Sequence, residues 1–229
     1  MLFTYHIVKL PLISAIRILF SPPKHTNGLI QAEIMSGMTL GAPVYSISRI
    51  LTRQIVMFAQ WEDEESLEHF LQTKPFGRKL TKGWYVKLLF LRQWGTISGF
   101  EIPKHEIEIE KEDATVVAVT IARMKLLEIP RFIRWGIPVE KLVRDHKGTT
   151  LSLASIRFPR TISTFSIWKT QQEMLEMVGG HSKVEKPKRH LDAMKERNRK
   201  DFHVEFTTLR FQPLEEYGTW EGKSTYTQK

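Results

Sequence analysis

The chain has 229 residues, of which 41% are hydrophobic and 10% aromatic, so it carries enough apolar material for a packed core. It has no cysteine, which excludes disulfides, thiolate metal sites and cysteine nucleophiles. The formal net charge of +9 is typical of a solvated basic surface, or of a surface that meets an anionic partner. No zinc-finger spacing, RNP motif or leucine zipper accompanies that charge, so nucleic acid is not an expected partner.

Apolar stretches in this chain are short. The longest, residues 10–20, is interrupted by Arg17 and is too short to cross a bilayer, so no transmembrane segment is expected. The first residues lack the charged region and the cleavage site of a signal peptide. We therefore expect a cytoplasmic protein, with peripheral attachment to a membrane surface as an alternative.

The first hundred residues alternate between strand and helix patterns. In chain order the predicted elements are strand 2–9, helix 12–20, strand 29–35, strand 54–61, helix 62–73 and strand 85–92. The first helix stops at Ser21, directly before two prolines. The second helix has an acidic first turn, which suits the positive end of its dipole. This βαββαβ order is the ferredoxin-like plan.

The second hundred residues give the same order of elements. They are strand 115–122, helix 126–135, strand 150–156, strand 161–168, helix 170–178 and strand 202–211. The sequence repeats as well, since residues 58–61 (FAQW) are matched by residues 165–168 (FSIW). A period of about 100 residues is longer than the repeats of solenoids and indicates a duplicated domain.

We therefore predict an α+β fold made of two tandem ferredoxin-like halves. The predicted parts are an N-terminal half at residues 1–101, a polar linker or edge segment at 102–113, a C-terminal half at 114–213 and a tail at 214–229. Trp61 and Trp168 occur at the same place in both halves, so we expect them to pack the two cores. Arg92 and Arg210 also recur, which favours a structural role for them.

Two segments depart from the repeat, and long loops in compact domains are usually functional or mobile. The first is an insert at residues 36–53, and the second is the segment 179–200, which carries His181 and His190. Eight basic residues lie in the second segment, namely Lys183, Lys186, Lys188, Arg189, Lys195, Arg197, Arg199 and Lys200. Gly179 and Gly180 at its start are expected to stop the preceding helix.

A short helix is predicted after Pro187. Its spacing places His190, Ala193, Met194 and Arg197 on one face. An imidazole on a mostly apolar face, with cations nearby, is what a haem pocket requires. The alternative is that His190 is an ordinary surface or core residue and that the basic run is a solvated face. No hydrolase, P-loop or dinucleotide-binding motif is present to suggest other chemistry.

The pattern resembles the spheroidene monooxygenase family, which introduces a keto group into acyclic carotenoids. The resemblance rests on residues 164–168 (TFSIW) opening a helix, then His190, and then the segment from Phe202 to Phe211. In the first half it rests on residues 57–61 (MFAQW) and on Gly83-Trp84. It covers nearly the whole chain at low identity.

The resemblance implies a dimeric α/β barrel, in which the two halves pack face to face. Related barrels include cofactor-free antibiotic-biosynthesis monooxygenases, and also aldoxime dehydratases, which hold haem in one half through a helical histidine. It therefore implies haem as the cofactor, with His190 as the iron ligand and His181 as the second candidate. Gln72 stands at the position in the first half that matches His190, which fits a single haem.

The same resemblance gives roles to neighbouring residues. Met194 would lie beside the haem, and the propionates would pair with cations of the segment 179–200, for which Arg189 and Arg197 are the leading candidates. Lys186 and Lys188 are further candidates. The insert at 36–53, with Tyr45 and Arg49, is placed to line the substrate side.

Three functions remain open at this point. The first is a haem-dependent monooxygenase acting on an apolar small molecule, with an electron donor and self-association into a homo-oligomer as further partners. The second is a haem protein of another reaction type, peroxidase-like or dehydratase-like, because the fold alone does not choose the reaction. The third is a cofactor-free barrel monooxygenase, or a binding module whose basic face meets acidic partners.

Overall fold

The computed structural model describes residues 2–21, 26–43, 46, 49–100, 102 and 112–228. Its strands are β1 (Leu2–Lys9), β2 (Leu29–Met38), β3 (Ile50–Trp61), β4 (Trp84–Thr96), β5 (Val116–Met124), β6 (Thr149–Arg157), β7 (Thr161–Trp168) and β8 (His203–Gly218). Its helices are α1 (Leu12–Phe20), α2 (Glu64–Thr73), α3 (Pro75–Leu80), α4 (Ile129–Asp145), α5 (Gln171–Val178) and α6 (Arg189–Arg199).

The eight strands form one closed barrel in the order β1-β3-β2-β6-β7-β5-β8-β4, and neighbouring strands are antiparallel. Strands β1–β4 follow the order 4-1-3-2, and β5–β8 follow the same order. The β2–β6 and β4–β8 pairs join the two sets. Closure leaves no sheet edge exposed to other chains. The predicted α+β class is confirmed, as an eight-stranded antiparallel barrel.

The interior of the barrel is a packed core. Alternate residues of each strand point inward, as the two-residue period of a strand requires, and aromatic rings dominate the contacts. The Tyr5 and Phe165 rings are stacked at 3.9 Å, and Phe58 lies 5.0 Å from Phe100 and 5.7 Å from Phe211. These side chains are all buried. The interior is therefore filled by protein, and a ligand would have to bind on an outer face of the sheet.

The outer face of β1–β4 is also filled. Helices α1, α2 and α3 pack on it directly, and Leu67, Phe70 and Leu80 are fully buried against the sheet residues Ala59 and Trp61. The Trp61 indole donates a hydrogen bond to Thr4 Oγ1 at 2.9 Å. Trp61 thus has the packing role expected of it, and Trp168 is buried in the corresponding cluster outside β5–β8.

Helix α1 uses only part of its apolar surface for packing. Ala15 and Ile18 are buried against the sheet, while Ile13 and Phe20 are more than four-fifths exposed. Among the described helices, none is long and apolar enough to cross a membrane.

Two helices differ from the sequence prediction. The helix expected to end at residue 135 continues to Asp145, through Gly136 and Pro138. A proline inside a helix removes one backbone hydrogen bond, and the helix nevertheless continues beyond Pro138, where Leu142 is buried. Helix α3 was not predicted, and it begins with Pro75 at its first position, where a proline is well tolerated.

The boundary expected at residue 213 falls inside a strand. Strand β8 continues to Gly218, because it pairs with the whole length of β4. Glu216 accepts hydrogen bonds from the Trp84 indole at 3.1 Å and from the Tyr226 backbone N–H at 2.9 Å, so the segment expected to be a tail is tied to the barrel. Trp220 belongs to the same buried core. The expected linker, residues 102–113, lies mostly outside the described residues.

The insert between β2 and β3 is shorter than expected. Strand β2 extends to Met38 and β3 begins at Ile50, so the connecting loop starts later and ends earlier than the predicted 36–53. The longer strands arise because β2 pairs with β6, with Ser36 opposite Ile156, which the sequence of one half could not indicate.

His6 is a fully buried imidazole on the outer face of β1. It stacks on Tyr85 at 4.8 Å, and neither ring nitrogen has a hydrogen-bond partner among the described residues. Burial lowers its pKa from 6.5 to about 3. Between these two pH values the unfolded chain binds a proton that the folded chain does not bind. Stability must therefore fall as the pH decreases, by up to about 1.4 kcal/mol per pH unit from this group.

We expect His6→Leu to flatten the pH dependence of stability, because leucine has no proton to bind. Urea unfolding at pH 7, 6, 5 and 4 should show a stability that falls less steeply in the variant, by about 1 kcal/mol per pH unit below pH 6. His69→Leu, at an exposed position on α2, is the control and should keep the slope of the unmodified protein. Parallel slopes for all three proteins would contradict the prediction.

Candidate functional site

A cavity of about 600 Å³ lies between the outer face of β5–β8 and the helices α4, α5 and α6. Its volume falls in the range of small-molecule and cofactor sites, about 300–1,000 Å³. Its lining is mostly apolar, with a few polar groups. The outer face of β1–β4, in contrast, is covered by directly packed helices.

The floor of the cavity is made of small side chains on the sheet. Thr120 at its centre lies opposite Thr164 of β7 on one side and Thr208 of β8 on the other. The hydroxyl oxygens of Thr120 and Thr208 are 3.3 Å apart. On the same strand face, Ala118 and Ala122 flank Thr120. Because none of these side chains is long, they leave space between the sheet and the helices.

The walls of the cavity come from α4 and α5. Phe132 and Val139 project from α4, and Met174 and Met177 project from α5. Glu140 of α4 lies at one edge, where it forms a 2.7 Å ion pair with Arg49. These side chains give this part of the cavity an apolar lining, which suits an apolar ligand.

The β2–β3 loop contacts α4 beside the cavity. Arg49 and Glu140 are nearly buried, and Glu140 also accepts a 2.7 Å hydrogen bond from the Gly41 backbone N–H. Leu40 of the same loop lines the cavity. The expected lining role of this insert is therefore carried by Leu40, and Tyr45 lies outside the described residues.

Helix α6 supplies the side of the cavity that faces the sheet. His190, Ala193, Met194 and Arg197, the four residues that the spacing assigned to one helix face, all line the cavity. His190 Nδ1 is buried and has no hydrogen-bond partner among the described residues. Burial lowers the His190 pKa. A hydrogen bond with the Val178 backbone raises it, but by less than burial lowers it. The imidazole is therefore neutral at pH 7, the form that binds a metal.

Ion pairs hold α6 against the start of α4. Glu196 of α6 binds Arg131 of α4 and also Arg199 of its own helix at 2.7 Å. Arg131 in turn pairs with Glu128 at 2.6 Å, and Lys200 pairs with the same Glu128. This network fixes the end of α6 and so the direction of its cavity face.

The remaining predicted site residues lie in different places. The Arg197 guanidinium covers the Phe206 ring at 4.0 Å and is 3.8 Å from Asp201. Arg189, the first residue of α6, is not among the residues that line the cavity. His181 is exposed and is also absent from the lining. Gly179 is the C-cap of α5 and Gly180 has a φ of 73°, so this pair ends the helix as expected.

A second imidazole, that of His203, also lines the cavity and was not among the predicted site residues. His203 Nδ1 lies 2.8 Å from Asp201 Oδ1, and His203 Nε2 is buried without a hydrogen-bond partner in the part of the chain that the structure describes. Burial lowers the His203 pKa, while Asp201 raises it by less. A histidine held by a carboxylate in this way is an arrangement common among metal ligands. His203 was not predicted as a site residue because it begins a strand, and histidines in strands are more often core residues.

The floor residues and Arg210 were missed as well. Thr120, Thr164 and Thr208 occur where an outer strand face covered by helices would normally carry valine or leucine. That alternation of alanine and threonine was the available signal in the sequence. Among the described residues, no three His, Asp or Glu side chains form a metal-binding group. A single imidazole suits a metal that a macrocycle already holds.

Fold and cavity together define an α+β barrel protein with an apolar ligand cavity outside its second set of four strands. No protein-family model and no curated protein sequence matches the chain. Solved structures do match. An aldoxime dehydratase in complex with butyraldoxime aligns with a TM-score of 0.60 at 10% identity, covering 99% of this chain and 85% of that chain.

Two further solved structures also match this chain. A second aldoxime dehydratase structure has a TM-score of 0.54 at 10% identity and covers 99% of this chain and 87% of that chain. A ferredoxin-fold protein from Listeria monocytogenes, related to antibiotic biosynthesis monooxygenases, has a TM-score of 0.33 at 12% identity, with 93% and 95% covered. The two dehydratases share the fold of this chain.

Proposed function

We propose that this chain is a haem-dependent oxidoreductase, a monooxygenase of apolar substrates, with the haem in the cavity and His190 as its iron ligand. One observation carries the proposal: a half-buried imidazole, whose Nδ1 has no hydrogen-bond partner among the described residues, lies on the helix that faces a cavity of about 600 Å³. The resemblance to spheroidene monooxygenases supports the choice of substrate class.

The residues of the cavity fit a haem. Phe132, Val139 and Met177 give apolar walls for the macrocycle, and Met194 lies on the same helix face as His190. Arg197 and Arg210 are cations that could meet the propionates. Bound haem would supply the redox chemistry, and the protein would supply binding, orientation and exclusion of water.

The sheet side of the cavity would serve the substrate. Thr120, Thr164 and Thr208 place hydroxyl groups on the floor of the cavity, opposite α6. A hydroxyl can donate or accept a hydrogen bond, so the floor can orient a polar group of an otherwise apolar molecule. The small size of these residues leaves room for that molecule between the floor and the haem.

The proposed architecture is that of two tandem ferredoxin-like halves, residues 1–101 and 114–213, that build a dimeric barrel within one chain. The matching strand orders of β1–β4 and β5–β8 support it. Only the second half would carry the cofactor, because the helices of the first half already fill its outer face.

Titration of the purified protein with haem tests the proposal. We expect a sharp Soret band that saturates at one haem per chain, and a Soret shift when carbon monoxide is added to the reduced protein. An acyclic carotenoid is the first substrate to assay for oxygen incorporation, with peroxide-driven dye oxidation and aldoxime dehydration as comparisons. A protein that takes up no haem would end the proposal and leave a cofactor-free barrel.

A further inference from the structure

Two arginines lie opposite each other on neighbouring strands, and one of them, Arg210, lines the cavity. Arg92 of β4 lies opposite Arg210 of β8 in the register of the sheet. Both guanidinium groups contact the same indole, since the Trp94 ring centroid is 5.0 Å from Arg92 Cζ and 4.7 Å from Arg210 Cζ. Arg210 and Trp94 line the cavity. Like charges directly opposite each other in a sheet are destabilising.

Arg210 has no acidic partner within the part of the chain that the structure describes. Other charges around the cavity are paired, as Arg49 is with Glu140 and Arg197 with Asp201. The Arg210 guanidinium is half-buried and rests on the Trp94 ring. Burial, together with the charge of Arg92, lowers the Arg210 pKa to about 10, so the side chain stays charged at pH 7.

The neighbours of Arg210 leave its cavity side accessible. On the adjacent strand the residue opposite Arg210 is Ala118, and the next cavity-facing residue on its own strand is Thr208. Neither is large enough to cover the guanidinium. A flat guanidinium with its donors free binds a carboxylate through two parallel hydrogen bonds.

We propose that Arg210 binds a carboxylate of the molecule that occupies the cavity, with Arg92 adding positive charge and Trp94 holding the guanidinium plane. In part this rests on the proposed function, because a haem propionate is one source of the carboxylate. The other source is an apolar carboxylic acid bound as a substrate. The inference assigns a ligand-binding role to an arginine whose recurrence in both halves had favoured a structural role.

Two pairs of probes that differ only in the carboxylate test the inference. They are haem against haem dimethyl ester, followed by absorbance, and dodecanoate against dodecanol, followed by calorimetry. The proteins are the unmodified chain, Arg210→Gln, and the control Arg78→Gln, which removes an exposed charge on α3. Thermal unfolding of each protein verifies that the variants are folded.

We expect Arg210→Gln to weaken binding of a carboxylate probe about tenfold, equivalent to about 1.4 kcal/mol. Its binding of the matched ester or alcohol should change less than about twofold, and Arg78→Gln should match the unmodified protein. An effect on haem but not on its ester identifies a propionate, and an effect on dodecanoate but not dodecanol identifies an acid substrate. If Arg210→Gln alters no pair selectively, the inference is wrong.

The same experiment separates this inference from the proposed function. If neither form of haem binds while dodecanoate binding depends on Arg210, the haem proposal fails and the carboxylate site stands. If haem and its ester bind equally well to the unmodified protein and to Arg210→Gln, and dodecanoate shows no dependence either, the haem proposal stands and the carboxylate site fails.

Discussion

Replacing His190 by alanine is expected to lower the affinity for haem by about 100-fold or more, equivalent to about 2.7 kcal/mol. The variant loses the one imidazole on the cavity face of α6, and the remaining candidate ligand of that face is the weaker thioether of Met194. The Soret band should weaken and shift to the position of unligated haem. Absorbance titration of both proteins at pH 7 measures the effect.

Added imidazole should restore the spectrum of the His190→Ala protein. Removing the side chain leaves a gap where free imidazole can bind the iron, and a merely structural role for His190 would not give this rescue. Because the His190 pKa is lowered, haem binding by the unmodified protein should persist to a lower pH than a histidine of ordinary pKa would allow. It should weaken only in more acidic solution, where the imidazole takes up a proton.

The other cavity imidazole is the sharpest control for this experiment. His203→Ala should keep the Soret position, since we assign Asp201 and His203 to the wall of the cavity. His181→Ala should also leave the spectrum unchanged, because His181 is exposed and outside the cavity lining. A band lost in His203→Ala but kept in His190→Ala would contradict the assignment and make His203 the ligand.

Local sequence patterns were enough to predict most elements of the fold. Strand β1 and helix α1 have the predicted bounds, because alternation and a double proline define them locally. No local pattern in the sequence indicates which distant strands pair with each other. The extension of β8 to Gly218 depends on β4, and the burial of Trp220 depends on the closed barrel.

The cavity could be predicted only in part, for the same reason. The helical spacing of His190, Met194 and Arg197 is a local property, and the structure places all three at the cavity. Arg210 and His203 come from a strand whose outward face is known only once the register is known. Sequence periodicity also cannot tell a packed outer face from an open one, because that depends on where the helices come to rest.

Filling the cavity should abolish ligand binding without destabilising the fold. We expect Ala118→Phe to remove haem binding, because its ring would project from the floor of the cavity into the space for the macrocycle. The ring enters the space of the cavity, so it displaces fewer packed neighbours than a ring at a fully buried position would. The midpoint of thermal unfolding should therefore change by less than about 3 °C. Haem titration and thermal unfolding of the ligand-free protein are the two measurements.

Ala59 offers a matched control on the other side of the barrel. It also lies on an outward strand face beneath helices, but it is fully buried against side chains such as Leu67 and Phe70. A phenylalanine there must displace packed neighbours, at a cost of about 3 kcal/mol, which lowers the unfolding midpoint by about 6 °C or more. Haem binding by Ala59→Phe should persist while the protein is folded. Equal destabilisation by both substitutions would mean that the second set of helices closes over its sheet in solution, and that the space assigned to the ligand does not exist.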